Sequence, residues 1–411
     1  MDMSERLSIV AIGDEVLCGH TVNTDASTIA LACTKMGRIP SCHSVVGDDP
    51  KEMEKVLRRE LALGGDVIAF GGLGPTVDDC TREVVAKIFQ CPLAVRMEYA
   101  HELEKRYGKK YPTIVNQSTQ PKGAKLLPNS VGTAPGLVLE DQALFPGARL
   151  FVLPGPPQEL TDVLMQGVLP LLKEGKKLPF LWMTLVGVLE QEADNCLRGL
   201  REKLPTLYTG IYPAYGAVSI HLVHEDRSSL EKAREAIAQE FGNALLPEET
   251  SSLEAYLVHL LREKGWTIAS AESCTGGGLS ARIASVEGAS TVLLGSVVAY
   301  RDSVKERVLA VPQELIATHG VVSQEVTHCM AESVQMLMGS DVAVATSGYF
   351  GPTGGTRETP IGTVCATILL PGSTLSQTFL FHGTRHAICE QTIGTLLSFL
   401  ITLVRALSER T

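Results

Sequence analysis

The chain has no excess of positive charge: 36 lysines and arginines stand against 46 aspartates and glutamates, a net charge of -10 over 411 residues. Without a basic stripe, direct contact with nucleic acid is not expected, and a phosphate-bearing substrate must be held by local groups. Long apolar runs are also missing. The longest near the end, Leu396 to Val404, falls far short of the roughly 18 residues of a spanning helix. The opening MDMSERLSIVAIG lacks a charged leader followed by an apolar core and cleavage site, so the expectation is a cytoplasmic protein away from membranes. None of the 10 cysteines falls in a CxxC or Cys/His ligand spacing, which excludes a zinc site or disulfide framework and leaves free thiols. Short repeats and low-complexity tracts are absent, and no histidine has the spacing of a familiar catalytic triad.

What is present is alternation. Leu7–Ile12 reads as a strand, Thr24–Met36 as helix, Ile39–Val46 as strand, Pro50–Leu63 as helix and Asp66–Phe70 as strand. This order predicts a doubly wound, largely parallel sheet with ligand sites beyond the carboxyl ends of its strands. From about 176 to 248 the pattern changes to a small α+β module: strands at Met183–Val188 and Val218–Val223, helices at Glu190–Lys203 and Ser228–Phe241. Ser251 or Ser252 can cap a helix over Leu253–Lys264. A second α/β pattern starts at Trp266 and ends in an amphipathic helix from about Arg385 to Glu409. The fold class is therefore α/β, with two three-layer α/β domains (1–175 and 249–411) and the α+β module, 176–248, between them.

Two segments concentrate polar groups at strand ends. In the first domain GGLGPTVDD follows a strand: Gly71, Gly72 and Gly74 let amides approach an anion, Thr76 adds a hydroxyl, and Asp78 and Asp79 offer hard oxygen ligands for a divalent cation. GDEVLCGHTVNTD supplies Asp14, Glu15 and Asn23; PNSVGTAPG and LPGPPQE, with Glu159, add further turns. In the last domain AESCTGG, Ala271–Gly277, follows the apolar run Trp266–Ala269. Ser273 is a candidate nucleophile there, at the turn into a helix expected to begin near Thr275, with the amides of Thr275, Gly276 and Gly277 able to donate to a developing negative charge.

These motifs resemble, in order and spacing, the competence/damage-inducible CinA family. GDEVLCGHTVNTD, GGLGPTVDD, VGTAPG and LPGPPQE are similar to its N-terminal domain of molybdopterin-binding fold; AESCTGG, VVAYRDSVKERVL, HGVVS and ATSGYFGPTGG are similar to its C-terminal domain. The middle zone looks like the family's KH-like module. The resemblance implies metal-dependent ADP-ribose hydrolysis in the first domain. It implies, in the last, deamidation of nicotinamide mononucleotide to nicotinate mononucleotide and ammonia. A divalent cation is expected only for the N-terminal domain; the C-terminal residues require none.

Amide hydrolysis needs a nucleophile, a base that is neutral when it acts, oxyanion donors and an acid for departing ammonia. Ser273 or Ser290 is the nucleophile, the other serving as proton relay. Lys305, drawn into a poorly solvated pocket, is the base, and Tyr300 holds it or passes a proton. Ser347, Gly348 and the loop containing Gly351 and Gly354 are expected to cradle phosphate or nicotinamide, with Arg385 as the phosphate-binding arginine. His319, His20 and His386 are not expected to catalyse. Phe350 and Thr353 stand where the family has smaller or acidic residues, and Cys389 where it has a second arginine, which suggests a narrower or altered pocket. Around Asn116 the N-terminal pattern is less regular. A homo-oligomer, of dimer type, is expected. Two other functions stay open: a pterin- or nucleotide-binding protein without turnover, and a partner protein in competence or DNA repair.

Overall fold

The computed structural model describes residues 6–76, 78–108, 113–247, 250 and 252–408. Ser251 and the expected helix end at Glu409 lie outside the described residues. The chain forms two compact units, residues 1–178 and 179–411.

In the first unit, the chain runs β1 (Leu7–Ile12), α1 (Asp14–Leu17), α2 (Thr24–Lys35), β2 (Cys42–Val46), α3 (Pro50–Ala62), β3 (Gly65–Phe70) and α4 (Thr81–Ile88). It continues through β4 (Leu93–Val95), α5 (Met97–Tyr107), α6 (Ile114–Ser118), β5 (Thr119–Pro121), β6 (Lys125–Leu127), β7 (Gly136–Leu139), β8 (Ala148–Leu153) and α7 (Pro157–Val163). The main sheet has the order β2-β1-β3-β8-β7-β6. Its first four strands are parallel, β7 runs antiparallel to β8, and β6 runs antiparallel to β7. Side chains alternate across it. Leu7, Ile9 and Ala11 join Ile29 and Leu160 on one face, and Val10 and Ile12 join Met53, Leu57 and Val85 on the other. A sheet apolar on both faces requires helices on both, which gives the expected three layers.

The second unit begins with β9 (Phe180–Val186), α8 (Glu190–Lys203), β10 (Tyr208–Ala214), β11 (Ala217–Val223) and α9 (Arg227–Phe241). The three strands form an antiparallel sheet, β10-β11-β9. Strand β10 was not legible in the sequence, because Gly210 and Pro213 interrupt its pattern; an edge position tolerates both. Then follow α10 (Leu253–Lys264), β12 (Ile268–Glu272), α11 (Gly278–Ala284), β13 (Leu293–Val298), α12 (Asp302–Val308), α13 (Gln313–His319), α14 (Gln324–Met338), β14 (Val342–Gly348), β15 (Thr363–Leu370), β16 (Ser373–Leu380) and α15 (Arg385–Ser408). Ser252 caps α10 by accepting from the Ala255 amide at 3.1 Å. The sheet order is β13-β12-β14-β15-β16. Ile268, Val342 and Val344 face α10 and α15, while Ala269, Ala271, Ala343 and Ala345 face α14. The alanines let α14 sit close to the sheet, and the parallel pairing of β12 with β14 sets their carboxyl ends side by side, Glu272 opposite Thr346.

Helix α15 is long and apolar enough to cross a membrane by length and composition. Here it is a core helix: Ile393, Leu396, Leu397, Leu400, Ile401 and Val404 are buried in the main cluster of the C-terminal domain. The run Leu396 to Val404 understated it, because Gly394 and Thr395 end the run while Ile388 and Ile393 before them continue the buried stripe.

Candidate active site

Strand β12 ends in Glu272, and the chain then turns sharply through Ser273–Gly277 before α11. Gly276 and Gly277 have φ of 61° and 94°, values a side chain would strain, so paired glycines are what this turn needs. The Ser273 amide donates to Thr346 O on β14 at 3.0 Å. Thr275 Oγ1 lies 3.0 Å from Thr346 Oγ1, a second tie between the turn and β14.

Lys305, from α12, reaches this turn. Its Nζ is 3.1 Å from Ser273 Oγ and 3.0 Å from the Ala299 carbonyl, and the residue is only 1% exposed. Burial pushes the Lys305 pKa down; Asp302, whose Oδ1 is 3.5 Å away, partly opposes that. A buried lysine beside a serine hydroxyl is thus arranged as a base for it. The neighbouring Cys274 thiol is pushed up to about 12, mainly by burial, and is inert.

Three expectations need correction. Ser290 sits in a short turn before β13, at the amino end of the sheet, whereas Ser273 follows the carboxyl end of β12. A strand of five residues spans about 17 Å, so Ser290 is out of reach of the Lys305 site. Tyr300 does not hold Lys305: its hydroxyl accepts from Arg385 Nη2 at 2.6 Å, and the side chain is exposed. The helix starts at Gly278 rather than Thr275, so the turn is not an open row of amides. Gly276 N–H is spent on Ser273 O and Gly278 N–H on Thr275 O. Among the described residues the amides of Thr275 and Gly277 have no backbone acceptor, which leaves these two as the turn's donors toward a ligand.

Arg385 opens α15 and also donates to Gly351 O at 2.9 Å, with its guanidinium 6.0 Å from the centre of the Phe350 ring. Phe350 is buried, not at the pocket rim, and shares one small apolar cluster with Cys274, Ile388 and Cys389. Bulk at 350 and its lack at 389 are therefore neighbours, and the expected narrowing by Phe350 is instead a platform under Arg385. Gly351 and Gly354, at φ of 74° and 92°, shape the exposed loop that follows, in which Thr353 is also exposed. Ser347 is buried and donates to Val321 O at 2.7 Å, a structural bond. The close approach of β15 excludes a side chain at Gly348, where a Cβ would lie 2.8 Å from Thr363 O. The hydrogen bonds of Lys305 with Ser273 and Ala299, and of Arg385 with Gly351 and Tyr300, involve none of His319, His20 and His386. Glu272, fully buried beneath the nucleophile turn, was missed by sequence reasoning, although its place inside AESCTGG was a signal.

In the first unit, Gly71 and Gly72 have φ of 106° and 65° directly after β3. The Asp79 carboxylate accepts from the Thr76 amide at 2.9 Å and from the Thr76 hydroxyl, closing its own loop. Asp78 is exposed. Among the described residues no three His, Cys, Asp or Glu side chains converge as a metal-binding group. As arranged, Asp78 and Asp79 do not fit the divalent cation expected of them. Acidity does gather here: burial and the Asp14, Glu15 and Asp78 carboxylates raise the Asp48 pKa, although the Asp14 amide bond opposes them. Asn23 caps α2 through the Ala26 amide, and Glu159 on α7 accepts from Asn129 of the 128–136 loop, close against Gly132, so both are engaged in local structure. The irregular Asn116 region is held by Arg82, which donates to Asn116 Oδ1 at 2.8 Å and to Gly74 O at 3.0 Å.

Residues 8–174 match a family model described as "Probable molybdopterin binding domain", and residues 250–404 match the CinA C-terminal domain. A CinA-like protein of Geobacter sp. (strain M21) is 35% identical over 416 residues, covering 97% of this chain and 98% of that protein. A CinA-like protein of Citrifermentans bemidjiense is 36% identical over 408 residues, covering 96% of each. A crystal structure of a CinA superfamily protein from Klebsiella pneumoniae is 32% identical, with 38% of this chain and 96% of that one covered and a TM-score of 0.37. With matching domains in order and full-length relatives above 30% identity, the chain belongs to the CinA family.

Proposed function

We propose that the C-terminal domain hydrolyses a carboxamide by serine catalysis, with nicotinamide mononucleotide as its substrate. The observation that carries this reading is the buried Lys305 Nζ, 3.1 Å from Ser273 Oγ. Neutral Lys305 takes the hydroxyl proton as Ser273 Oγ attacks the carboxamide carbon. The Gly277 amide donates to the resulting oxyanion. Lys305 then returns the proton to the departing nitrogen, the C–N bond breaks, and ammonia leaves. Water, deprotonated by the same lysine, cleaves the Ser273 ester and releases nicotinate mononucleotide. Arg385, steadied by Tyr300, Gly351 and Phe350, is the cation for the phosphate, with guanidinium hydrogens left over for it. None of these residues needs a metal. The test is ammonia release from nicotinamide mononucleotide in the presence of chelator, which the reading expects from the native chain and not from Ser273→Ala.

For the first unit we propose that the Gly71–Gly74 loop binds a nucleotide, ADP-ribose being the candidate. No hydrolytic step follows from Asp78 and Asp79, whose arrangement does not make cation ligands. Stabilisation by ADP-ribose, with and without magnesium, tests binding. The homodimer and the cytoplasmic location belong to this proposal too, and sedimentation tests the former.

A further inference from the structure

We infer that Glu272 is a positioning residue for the Ser273 turn: an internal anion that claims the start of α11 and so sets the nucleophile while barring substrate phosphate from those amides. The inference rests on the amidase reading for its choice of substrate, but not for its geometry. Glu272 is completely buried, and among the described residues no cation pairs with it. Its carboxylate is instead met by donors from three elements. Oε2 accepts from the Leu279 amide at 3.1 Å, and Oε1 from the Ser280 amide at 2.9 Å, both at the start of α11. The hydroxyls of Ser270 on β12 and Ser296 on β13, 2.8 Å apart, reach Oε1 at 3.1 and 3.5 Å.

This arrangement clamps the turn from both ends. Glu272 precedes Ser273, and the amides it holds lie just beyond Gly278, so the six residues between are a closed loop whose base is a carboxylate. The other ties, from Ser273 and Thr275 to Thr346, fix it against β14. With its ends held, the Ser273 hydroxyl keeps its place against Lys305. A helix start also attracts anions. Here that attraction is satisfied internally, so the substrate's phosphate is left to Arg385 and its carboxamide end falls at Ser273.

Glu272→Gln separates this role from mere bulk. The variant keeps the volume but puts an NH2 where one oxygen was. Serine hydroxyls can turn to accept from it, whereas the Leu279 and Ser280 amides cannot. The expected result is a chain that folds, a kcat for nicotinamide mononucleotide lower by about tenfold or more, and a KM within about twofold of the native value. Ser296→Ala, which leaves Glu272 and its amide donors in place and removes the 3.5 Å bond to Oε1 and the 2.8 Å bond from Ser270, is expected to lower kcat in the same direction by less. Labelling of Ser273 by a fluorophosphonate, which needs the nucleophile and not the natural substrate, is expected to slow in proportion. Native kcat and labelling rate in Glu272→Gln would overturn the inference, as would a rise in KM at unchanged kcat, or loss of the fold in both variants. A native chain that is labelled at Ser273 but releases no ammonia would instead sink the amidase reading. The labelling rates would then still decide the role of Glu272.

Discussion

Lys305 sets what the site can do and at what pH. Its folded pKa is lowered by burial, so the neutral base is populated at a lower pH than for a solvated lysine. The rate should rise with pH along a limb belonging to Lys305. Asp302 favours the charged lysine, so Asp302→Asn should move that limb toward acid, which pH profiles of kcat/KM will show. The same shift affects stability. A group whose pKa is lower folded than unfolded binds its proton more tightly in the unfolded chain, so stability rises with pH between the lowered value and the ordinary lysine value. Below that window the buried charge is a full penalty. Lys305→Met should therefore raise the urea midpoint at neutral pH while abolishing ammonia release, an opposition expected of a catalytic lysine and not of a structural one. Ser273 and Lys305 were legible as types in a motif; the partner of Tyr300 was not, because a hydrogen bond to a residue 85 positions later leaves no trace in local spacing.

At the level of elements, the periodic strands and helices could be read directly, and their ends could not. The helix expected from Thr275 begins at Gly278, since the positive φ of Gly276 and Gly277 delays it. Ser290 was misplaced for a related reason: sequence does not say at which end of a parallel sheet a loop lies until the strand pairing is known. Helix α15 shows how an element positions the site. Its first residue is Arg385, and further along Gly394 lets the β10–β11 turn approach, where an added Cβ would lie 2.2 Å from Tyr215 O. Gly394→Ala should therefore cost about 1–3 kcal/mol, measured by urea unfolding. Such contact between a helix glycine and a hairpin turn is invisible in composition.

For the whole molecule, the α/β alternation indicated both three-layer domains, because sheets buried on both faces give continuous apolar strands. Spacing alone does not reveal that the Asp79 carboxylate turns back onto Thr76. The second unit has its own cores, one of them built from Val186 and Ala217 of the α+β module together with α10 and α15. A fragment of residues 179–411 should accordingly fold alone and deamidate nicotinamide mononucleotide at close to the full-length kcat. A fragment starting at 249, which strips those contacts, should be less stable in urea. The central claim is covalent catalysis by Ser273 with Lys305 as base, and its most direct test is mass spectrometry of acid-quenched turnover. We expect the peptide containing Ser273 to carry the nicotinate mononucleotide acyl group in the native chain and to be unmodified in Lys305→Ala. An unmodified Ser273 in a chain that releases ammonia, with the rate retained in Ser273→Ala, would contradict it.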